Sequence, residues 1–194
     1  MASKPTFAQL VSLACHDLRT PLATASGFAH TLQRLDSLEA PADRYVQMIG
    51  AASDQMAQLL DLLGAASRIE AGRFEPQVRE ANSRELADAA AAKLGEGEAV
   101  VDGTGAQVEV DPPWAELALA SLGECIRRHG ALEQVAFVVD GPEISIGPVK
   151  EGVGPVVLGE ELKDFPAAVG IRILSATGAS VRIDGELLFV RLPQ

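Results

Sequence analysis

Two long runs of apolar residues at helical spacing constrain the fold of this chain more than any other feature of its sequence. The first run comprises Phe7, Leu10, Ala14, Leu18, Leu22, Ala25, Phe28, Leu32 and Leu35, and the second comprises Tyr45, Met48, Ala52, Met56, Leu59, Leu63, Ala66 and Ile69. Steps that average about 3.5 residues are typical of helices that pack along a long seam. Glu39–Asp43 separates the runs, and Pro41 suits the first turn of a helix. The sequence therefore predicts an antiparallel helical hairpin.

The two apolar seams need more cover than one hairpin provides. Pairing of two copies into a four-helix bundle is the simplest arrangement that buries both seams, so we expect a homodimer. The competing explanation is that the rest of the chain folds over the hairpin. Ala71-Gly72-Arg73 has the composition of a helix end, and Glu75-Pro76 that of a linker. These signals predict a hairpin domain over residues 1–74 and a second domain over 75–194.

The second domain combines helix and strand patterns. Helices are predicted over Ser83–Leu94 (with Ser83 as N-cap), Trp114–His129 and Pro166–Thr177, and strands over 99–102, 107–110, 134–139, 143–146, 180–184 and 187–192. Asp140-Gly141-Pro142 and Gly185-Glu186 have the composition of hairpin turns. This order of elements predicts a two-layer α/β sandwich, and thus an α plus α/β fold for the whole chain.

Composition excludes several classes of partner. The net charge is −11 and no basic run occurs, which argues against nucleic acid or an anionic membrane as a partner. We expect a cytoplasmic protein, because the N-terminus lacks a signal-peptide core and no segment is apolar enough to cross a bilayer.

Cys15 and Cys125 form no CxxC pair, and Cys15 and His16 would point about 100° apart on a helix. A reduced protein without a metal site is the expectation.

His16 is the first candidate functional residue. It lies about 200° around the predicted helix from both Ala14 and Leu18, so it points away from the apolar seam and towards solvent. An exposed histidine on a rigid helix suits a nucleophile that a visiting protein must reach, but a lone exposed histidine is most often an ordinary surface residue. Pro21 lacks an N–H group, which predicts a local bend in the helix.

The string around His16 decides between these interpretations. His16-Asp17-Leu18-Arg19-Thr20-Pro21-Leu22 resembles the phosphoacceptor box of histidine kinases that use a dimeric helical hairpin. The resemblance continues through Ser67-Arg68-Ile69-Glu70-Ala71-Gly72, which is similar to the usual end of the second hairpin helix. It extends more weakly to Val190-Arg191-Leu192-Pro193, similar to the closing strand of the kinase catalytic domain. It thus covers nearly the whole chain.

The resemblance implies roles for the matched residues. His16 would take up a phosphoryl group on a ring nitrogen, and Asp17 would hydrogen-bond the other nitrogen. Thr20 would orient water for dephosphorylation of a partner, although its hydroxyl could equally bond back to the helix. Arg19 and Leu22 would contact the partner protein, although Arg19 is explained as well by a solvated surface charge.

The motifs that such kinases use for ATP are eroded here. Leu119–His129 resembles the asparagine-box helix, but Ser121 and Cys125 stand where asparagines are expected, and cysteine is a poor magnesium ligand. Glu124 is retained and could still act as a base or ligand.

Two further motifs of the ATP site fail in the same way. No Asp-x-Gly-x-Gly follows the strand that ends near Ile146. Pro166 and Ala168 replace glycines of the phosphate lid before Val169-Gly170-Ile171. We therefore expect that the chain binds no ATP and no metal of its own.

Three functional hypotheses follow. The first is a histidine phosphotransferase that exchanges phosphate with receiver aspartates, as in two-domain phosphotransferases that keep the hairpin and a degenerate kinase-like domain. The receivers would then supply Mg²⁺, and an upstream histidine kinase is a further candidate partner. The second is a divergent kinase that autophosphorylates His16 from ATP. The third is a pseudokinase that binds receivers without chemistry.

Overall fold

The structure, a computed structural model, describes residues 7–34 and 42–194. It forms two compact units, Met1–Arg73 and Phe74–Gln194. The side chains of Phe7, Leu10 and Ala14 lie outside the described part, as do Leu35 and the predicted turn residues 39–41.

The first unit is a helical hairpin, as predicted. It consists of α1 (Phe7–Arg34) and α2 (Ala42–Glu70), and α1 continues through Pro21. The helices are antiparallel, because Ser67 Oγ near the end of α2 donates a 2.6 Å hydrogen bond to the carbonyl of Ala8 near the start of α1. The predicted helix end is confirmed: Gly72 adopts φ +62°, and the Arg73 amide donates to the carbonyl of Arg68 at 2.8 Å.

The contact between α1 and α2 uses smaller residues than the predicted seam. Cys15 and Ala29 of α1 and Val46, Gly50 and Ser53 of α2 are buried. Most large residues of the predicted seam are instead exposed. We call the exposed large apolar residues of the hairpin the apolar stripe; its members are Leu18, Phe28, Leu32, Tyr45, Met48, Ile49 and Met56. Further along α2, Leu62 is fully buried and the predicted seam residues Leu59, Leu63 and Ile69 are half-buried. The exposed part of the sequence periodicity therefore marks a face that a single hairpin leaves open.

The second unit contains four helices and seven strands. They run in the order β1 (Arg79–Asn82), α3 (Ser83–Leu94), β2 (Ala99–Gly105), β3 (Gln107–Val110), α4 (Pro112–His129), β4 (Val135–Gly141), β5 (Glu143–Gly147), α5 (Gly154–Val157), α6 (Phe165–Ala176), β6 (Ser180–Asp184) and β7 (Leu187–Arg191). The main sheet has the strand order β2-β4-β5-β7-β6, in which only the β2–β4 pair is parallel. Strands β1 and β3 form a separate antiparallel pair.

Helices α3, α4 and α6 pack on one face of the main sheet, which confirms the predicted two-layer α/β sandwich. Burial alternates along β4: Val135, Phe137 and Val139 are buried, whereas Val138 is exposed. The turns at 140–142 and 185–186 also match the prediction, since β4–β5 and β6–β7 pair as antiparallel hairpins. Strand β1 and the one-turn helix α5 were not predicted, because neither segment has an apolar period.

Helix caps fix where the helices of this unit begin. Asp111 caps α4, and its carboxylate also accepts a 2.7 Å hydrogen bond from the Gln77 amide. The predicted cap of α3 is wrong by one residue, because Asn82 accepts from the Arg84 amide at 2.9 Å. The Ser83 hydroxyl has a different role: it donates to the carbonyl of Gly141 and accepts from the amide of Ala106. None of the described helices has the length and apolarity that a membrane span requires.

Candidate functional site

His16 projects from the exposed side of α1. Its side chain is 80% exposed, while the preceding residue, Cys15, is buried against α2. The burial of Cys15 sets the rotation of the helix, so that His16 must face solvent, as the sequence predicted. Nδ1 lies 3.2 Å from Oδ1 of Asp17. When Nδ1 donates to this carboxylate, the neutral ring keeps its lone pair on Nε2, which is then the nucleophilic nitrogen.

The other predicted residues of the phosphoacceptor box lie within two turns of His16. Thr20 is exposed and one turn further along α1, so it shares a face with His16. Arg19 donates from Nη2 to Oδ1 of Asp61 at 2.5 Å, which links α1 to α2. Leu22 is half-buried. The structure therefore assigns Arg19 a specific carboxylate partner that the sequence did not predict.

A groove of about 240 Å³ lies between the two helices beside this box. Its lining residues are Arg19, Leu22, Ala23, Ser26, Ser53, Asp54, Ala57 and Asp61. The small side chains keep the groove open, and Arg19 and Asp61 hold its edge through their ion pair. A protein that reaches His16 therefore also meets a shaped surface that contains both Arg19 and Leu22.

In the second unit, Ser121, Glu124 and Cys125, which the sequence analysis compared with an asparagine box, are engaged with other protein groups. Ser121 is buried, and its hydroxyl donates to the carbonyl of Leu117 in its own helix at 2.8 Å. The carboxylate of Glu124 accepts two hydrogen bonds from Arg127, at 2.9 and 3.0 Å. Arg127 also lies 3.3 Å from Glu98. Glu124 is thus the retained acid of this motif and is neutralised by an adjacent arginine.

Cys125 belongs to a polar cluster that the sequence did not predict. Oδ2 of the buried Asp164 lies 2.5 Å from Nη2 of Arg128 and 3.2 Å from Nε2 of His129. Cys125 is 1% exposed and contacts the same carboxylate. Cys125 and Asp164 are 39 positions apart in the sequence, and no local sequence pattern links Asp164 to α4. The spacing Cys125-x-x-x-His129, one turn of α4, is the signal that could have indicated part of the cluster.

Burial and neighbouring charges shift the pKa values of Cys125 and Asp164. Burial raises the pKa of the Cys125 thiol, and the negative charge of Asp164 raises it further, so the thiol stays protonated. Burial also disfavours the charged form of Asp164, but the Ala167 amide and Arg128 outweigh burial. The pKa of Asp164 is therefore lowered and the group is a carboxylate at neutral pH.

The start of α6 is occupied by this same carboxylate. Oδ1 of Asp164 accepts a 3.0 Å hydrogen bond from the Ala167 amide and caps the helix. An open helix N-terminus can receive a phosphate on its free amides. Here the N-terminal amide already has an anionic partner from the chain itself, and Pro166 supplies no amide hydrogen.

Comparison with known proteins identifies the first unit. Residues 8–72 match the His Kinase A (phospho-acceptor) domain. The chain is also 36% identical over 90 residues to the sensor protein KdpD of Mycobacterium tuberculosis. That alignment covers 45% of this chain and 10% of KdpD, so the chain matches about one tenth of the length of this relative.

Solved structures share the fold of the whole chain. Full-length ShkA, in complex with AMPPNP, matches with a TM-score of 0.61 at 17% identity, over 97% of this chain and 46% of ShkA. The histidine kinase AdeS of Acinetobacter baumannii matches with a TM-score of 0.55 at 15% identity, over 92% of this chain and 97% of AdeS. Residues 8–72 are therefore similar to a His Kinase A (phospho-acceptor) domain, and the chain as a whole shares the fold of these two solved structures.

Proposed function

We propose that this protein is a histidine phosphotransferase, which takes a phosphoryl group onto His16 from one receiver aspartate and passes it to another. The observation that carries the proposal is the geometry of His16, which is 80% exposed and has Asp17 at Nδ1. A residue in this setting can be reached by a folded protein, and its free Nε2 is the nucleophile.

The transfer step requires little from the chain beyond position and charge. Nε2 of His16 attacks the phosphorus of a receiver aspartyl phosphate, the bond from phosphorus to the aspartate oxygen breaks, and the aspartate leaves as a carboxylate. Asp17 stabilises the positive charge that develops on the imidazole ring. The reverse step returns the phosphoryl group to a second receiver. Mg²⁺ held by the receiver would stabilise the charge on the phosphoryl oxygens.

Docking of the receiver is proposed at the groove beside His16. Arg19 and Leu22 present a cation and an apolar surface close to the acceptor, and Asp61 holds the guanidinium in place. A second copy of the chain is proposed to cover the apolar stripe. At about 100° per residue, the stripe residues of each helix fall within an arc of about 100° around that helix, as packing in a four-helix bundle requires.

The contacts in α4 and before α6 support a transfer role without ATP. Ser121, Glu124 and Cys125 take the positions of the asparagine box, and each of them is bonded to another group of the protein. A magnesium–phosphate complex would have to displace these partners. ATP-dependent phosphorylation of His16 is the second candidate, because the relatives include a protein named as a sensor and one named as a histidine kinase.

The decisive experiment uses a panel of receiver domains that carry a labelled aspartyl phosphate. We expect label on the unmodified protein and on His30→Ala, a control at a half-exposed histidine of the same helix, but not on His16→Ala. Failure of every receiver to label the protein would contradict the proposal. Receiver binding without transfer would favour the pseudokinase.

Two further arms separate the candidates. Asp17→Asn should slow transfer by roughly 10- to 100-fold while receiver affinity stays the same, because the role proposed for Asp17 is to position the ring, whereas docking is proposed at Arg19 and Leu22. Incubation with Mg²⁺ and ATP labelled in the γ-phosphate should give no label. Acid-labile label that disappears in His16→Ala would instead establish the kinase.

A further inference from the structure

A second cluster of reactive side chains lies in the α/β unit, apart from His16. Cys125, His129 and Asp164 each offer one ligand atom, and these three atoms lie within 4.8 Å of one another. Among the residues that the structure describes, this is the cluster with a donor set suited to a metal ion. Cys125 and His129 share a face of α4 because they are one turn apart, and Asp164 approaches from the segment before α6.

We propose that Cys125, His129 and Asp164 form a binding site for a zinc-class divalent ion. A sulfur, an imidazole nitrogen and a carboxylate oxygen form a donor set that zinc accepts and magnesium does not. Three protein ligands would leave the fourth tetrahedral position to water. The Cys125 thiol would lose its proton to solvent as the sulfur–metal bond forms.

The geometry of the cluster is close to that of a bound site. Zinc bonds of about 2.0 to 2.3 Å place the donors of a tetrahedral site roughly 3.3 to 3.8 Å apart. Nε2 of His129 and Oδ2 of Asp164 are already 3.2 Å apart. Because the whole set lies within 4.8 Å, the separation between the thiol sulfur and the other donors needs to shorten by about 1.5 Å at most.

The surroundings hold Asp164 in the orientation that a ligand needs. Its Oδ1 is fixed by the Ala167 amide, so Oδ2 remains directed at Cys125 and His129. Cys125 and Asp164 are buried, whereas the side chain of His129 is 29% exposed. An ion can therefore enter from the side of His129 and complete its shell in a largely dehydrated site.

Arg128 is the group that an ion must replace. Its guanidinium lies 2.5 Å from Oδ2 of Asp164, and its side chain is 53% exposed. The arginine can thus swing into solvent when a divalent cation takes its place at the carboxylate. Arg128 and the metal ion therefore compete for Asp164. Removal of the arginine charge should strengthen metal binding, whereas a cluster with only a structural role would bind no metal in either protein.

Cobalt(II) titration of the full-length protein tests the site directly, since thiolate coordination gives a charge-transfer band in the near ultraviolet. We expect this band in the unmodified protein and in Cys15→Ser, which removes the other buried cysteine. We expect no band in Cys125→Ser and a much weaker complex in His129→Gln. Zinc should displace the cobalt, and Mg²⁺ should not.

Arg128→Gln provides the discriminating measurement. We expect its zinc affinity, measured by competition with a chromophoric chelator, to rise by roughly tenfold. Folding of every variant is checked by circular dichroism with a chelator present, so that loss of binding and loss of structure are separated. The proposal is overturned if the cobalt band persists in Cys125→Ser, if the unmodified protein gives no band, or if Arg128→Gln binds zinc more weakly.

Discussion

At the scale of single residues, His16 and His129 both face carboxylates but differ in what surrounds them. His16 and Asp17 are both exposed, so their interaction is weakened by water and can respond to a visiting protein. His129 shares the buried Asp164 with Arg128, so its surroundings are fixed by the fold. The first arrangement suits transfer chemistry, and the second holds two helices together.

Asp164→Asn tests how much the buried carboxylate stabilises the second unit. Because the folded-state pKa of Asp164 is lowered, its stabilisation is fully present above the unfolded pKa of about 3.9 and is lost as pH falls through the folded value. Asparagine keeps the helix cap but loses the charge. We expect a loss of about 1 to 2 kcal/mol in unfolding free energy at pH 7.

The pH dependence distinguishes this explanation from a general packing defect. The difference between the unmodified protein and Asp164→Asn should shrink as the pH falls below about 4, because the wild-type carboxyl then becomes neutral as well. Urea unfolding at a series of pH values measures the difference. A gap that stays constant into the acid range would show that charge is not responsible.

Single residues also show what sequence could and could not predict. The exposed position of His16 follows from its place on one helical face, so it could be predicted without a structure. The partner of Arg19 could not, because Asp61 lies on the other helix and no spacing rule joins the two. The same reason hid the Asp164 cluster, which depends on how α4 packs beside α6.

At the scale of elements, the α/β unit depends on one close approach between a helix and the sheet. Gly123 of α4 faces Phe137 of β4, which is fully buried. A Cβ at this glycine would lie 2.6 Å from Cζ of Phe137. The helix can therefore approach the strand only because position 123 has no side chain.

Gly123→Ala should destabilise the second unit by about 1 to 3 kcal/mol, since a buried ring must move to admit the methyl group. Trp114, the only tryptophan of the chain, lies at the start of α4 and reports on this unit in urea unfolding followed by fluorescence. Gly27→Ala is the matched control, because a Cβ there meets nothing within 4 Å. An unchanged tryptophan transition in Gly123→Ala would contradict the packing argument.

The elements were predicted best where a local signal exists. The turns at Asp140-Gly141-Pro142 and Gly185-Glu186 each have such a signal, and both join antiparallel strands as expected. Strand β1 has no such signal, since Arg79-Glu80-Ala81-Asn82 gains its conformation from pairing with β3. The exposed part of the hairpin's apolar period agrees with the expectation that one hairpin alone cannot cover both seams.

At the scale of the whole molecule, the apolar stripe predicts assembly. The exposed fractions of Phe28, Tyr45 and Met48 are 67%, 61% and 59%. Large apolar residues concentrated on one side of a helical hairpin mark an interaction surface. A second copy offers the same surface, so a two-fold interface would cover both stripes at once.

Met48→Glu should convert a dimer to a monomer, because two buried carboxylates would face an apolar interface without partners. Sedimentation equilibrium measures the mass, and Phe28→Glu on the other helix should have the same effect. Gln58→Glu is the control at an exposed polar position of α2. A dimer that survives both stripe substitutions would place the interface elsewhere.

The exposure of His16 also bears on how long a signal could persist in this protein. A phosphoryl group on a side chain that is 80% exposed would stand in bulk water, without a pocket to exclude hydrolysis. Such a carrier would be charged and discharged on the timescale of encounters with its partners. Its phosphorylation level would follow the activity of an upstream protein only while that protein kept acting. A response that outlasts the stimulus would have to depend on phosphorylated receivers.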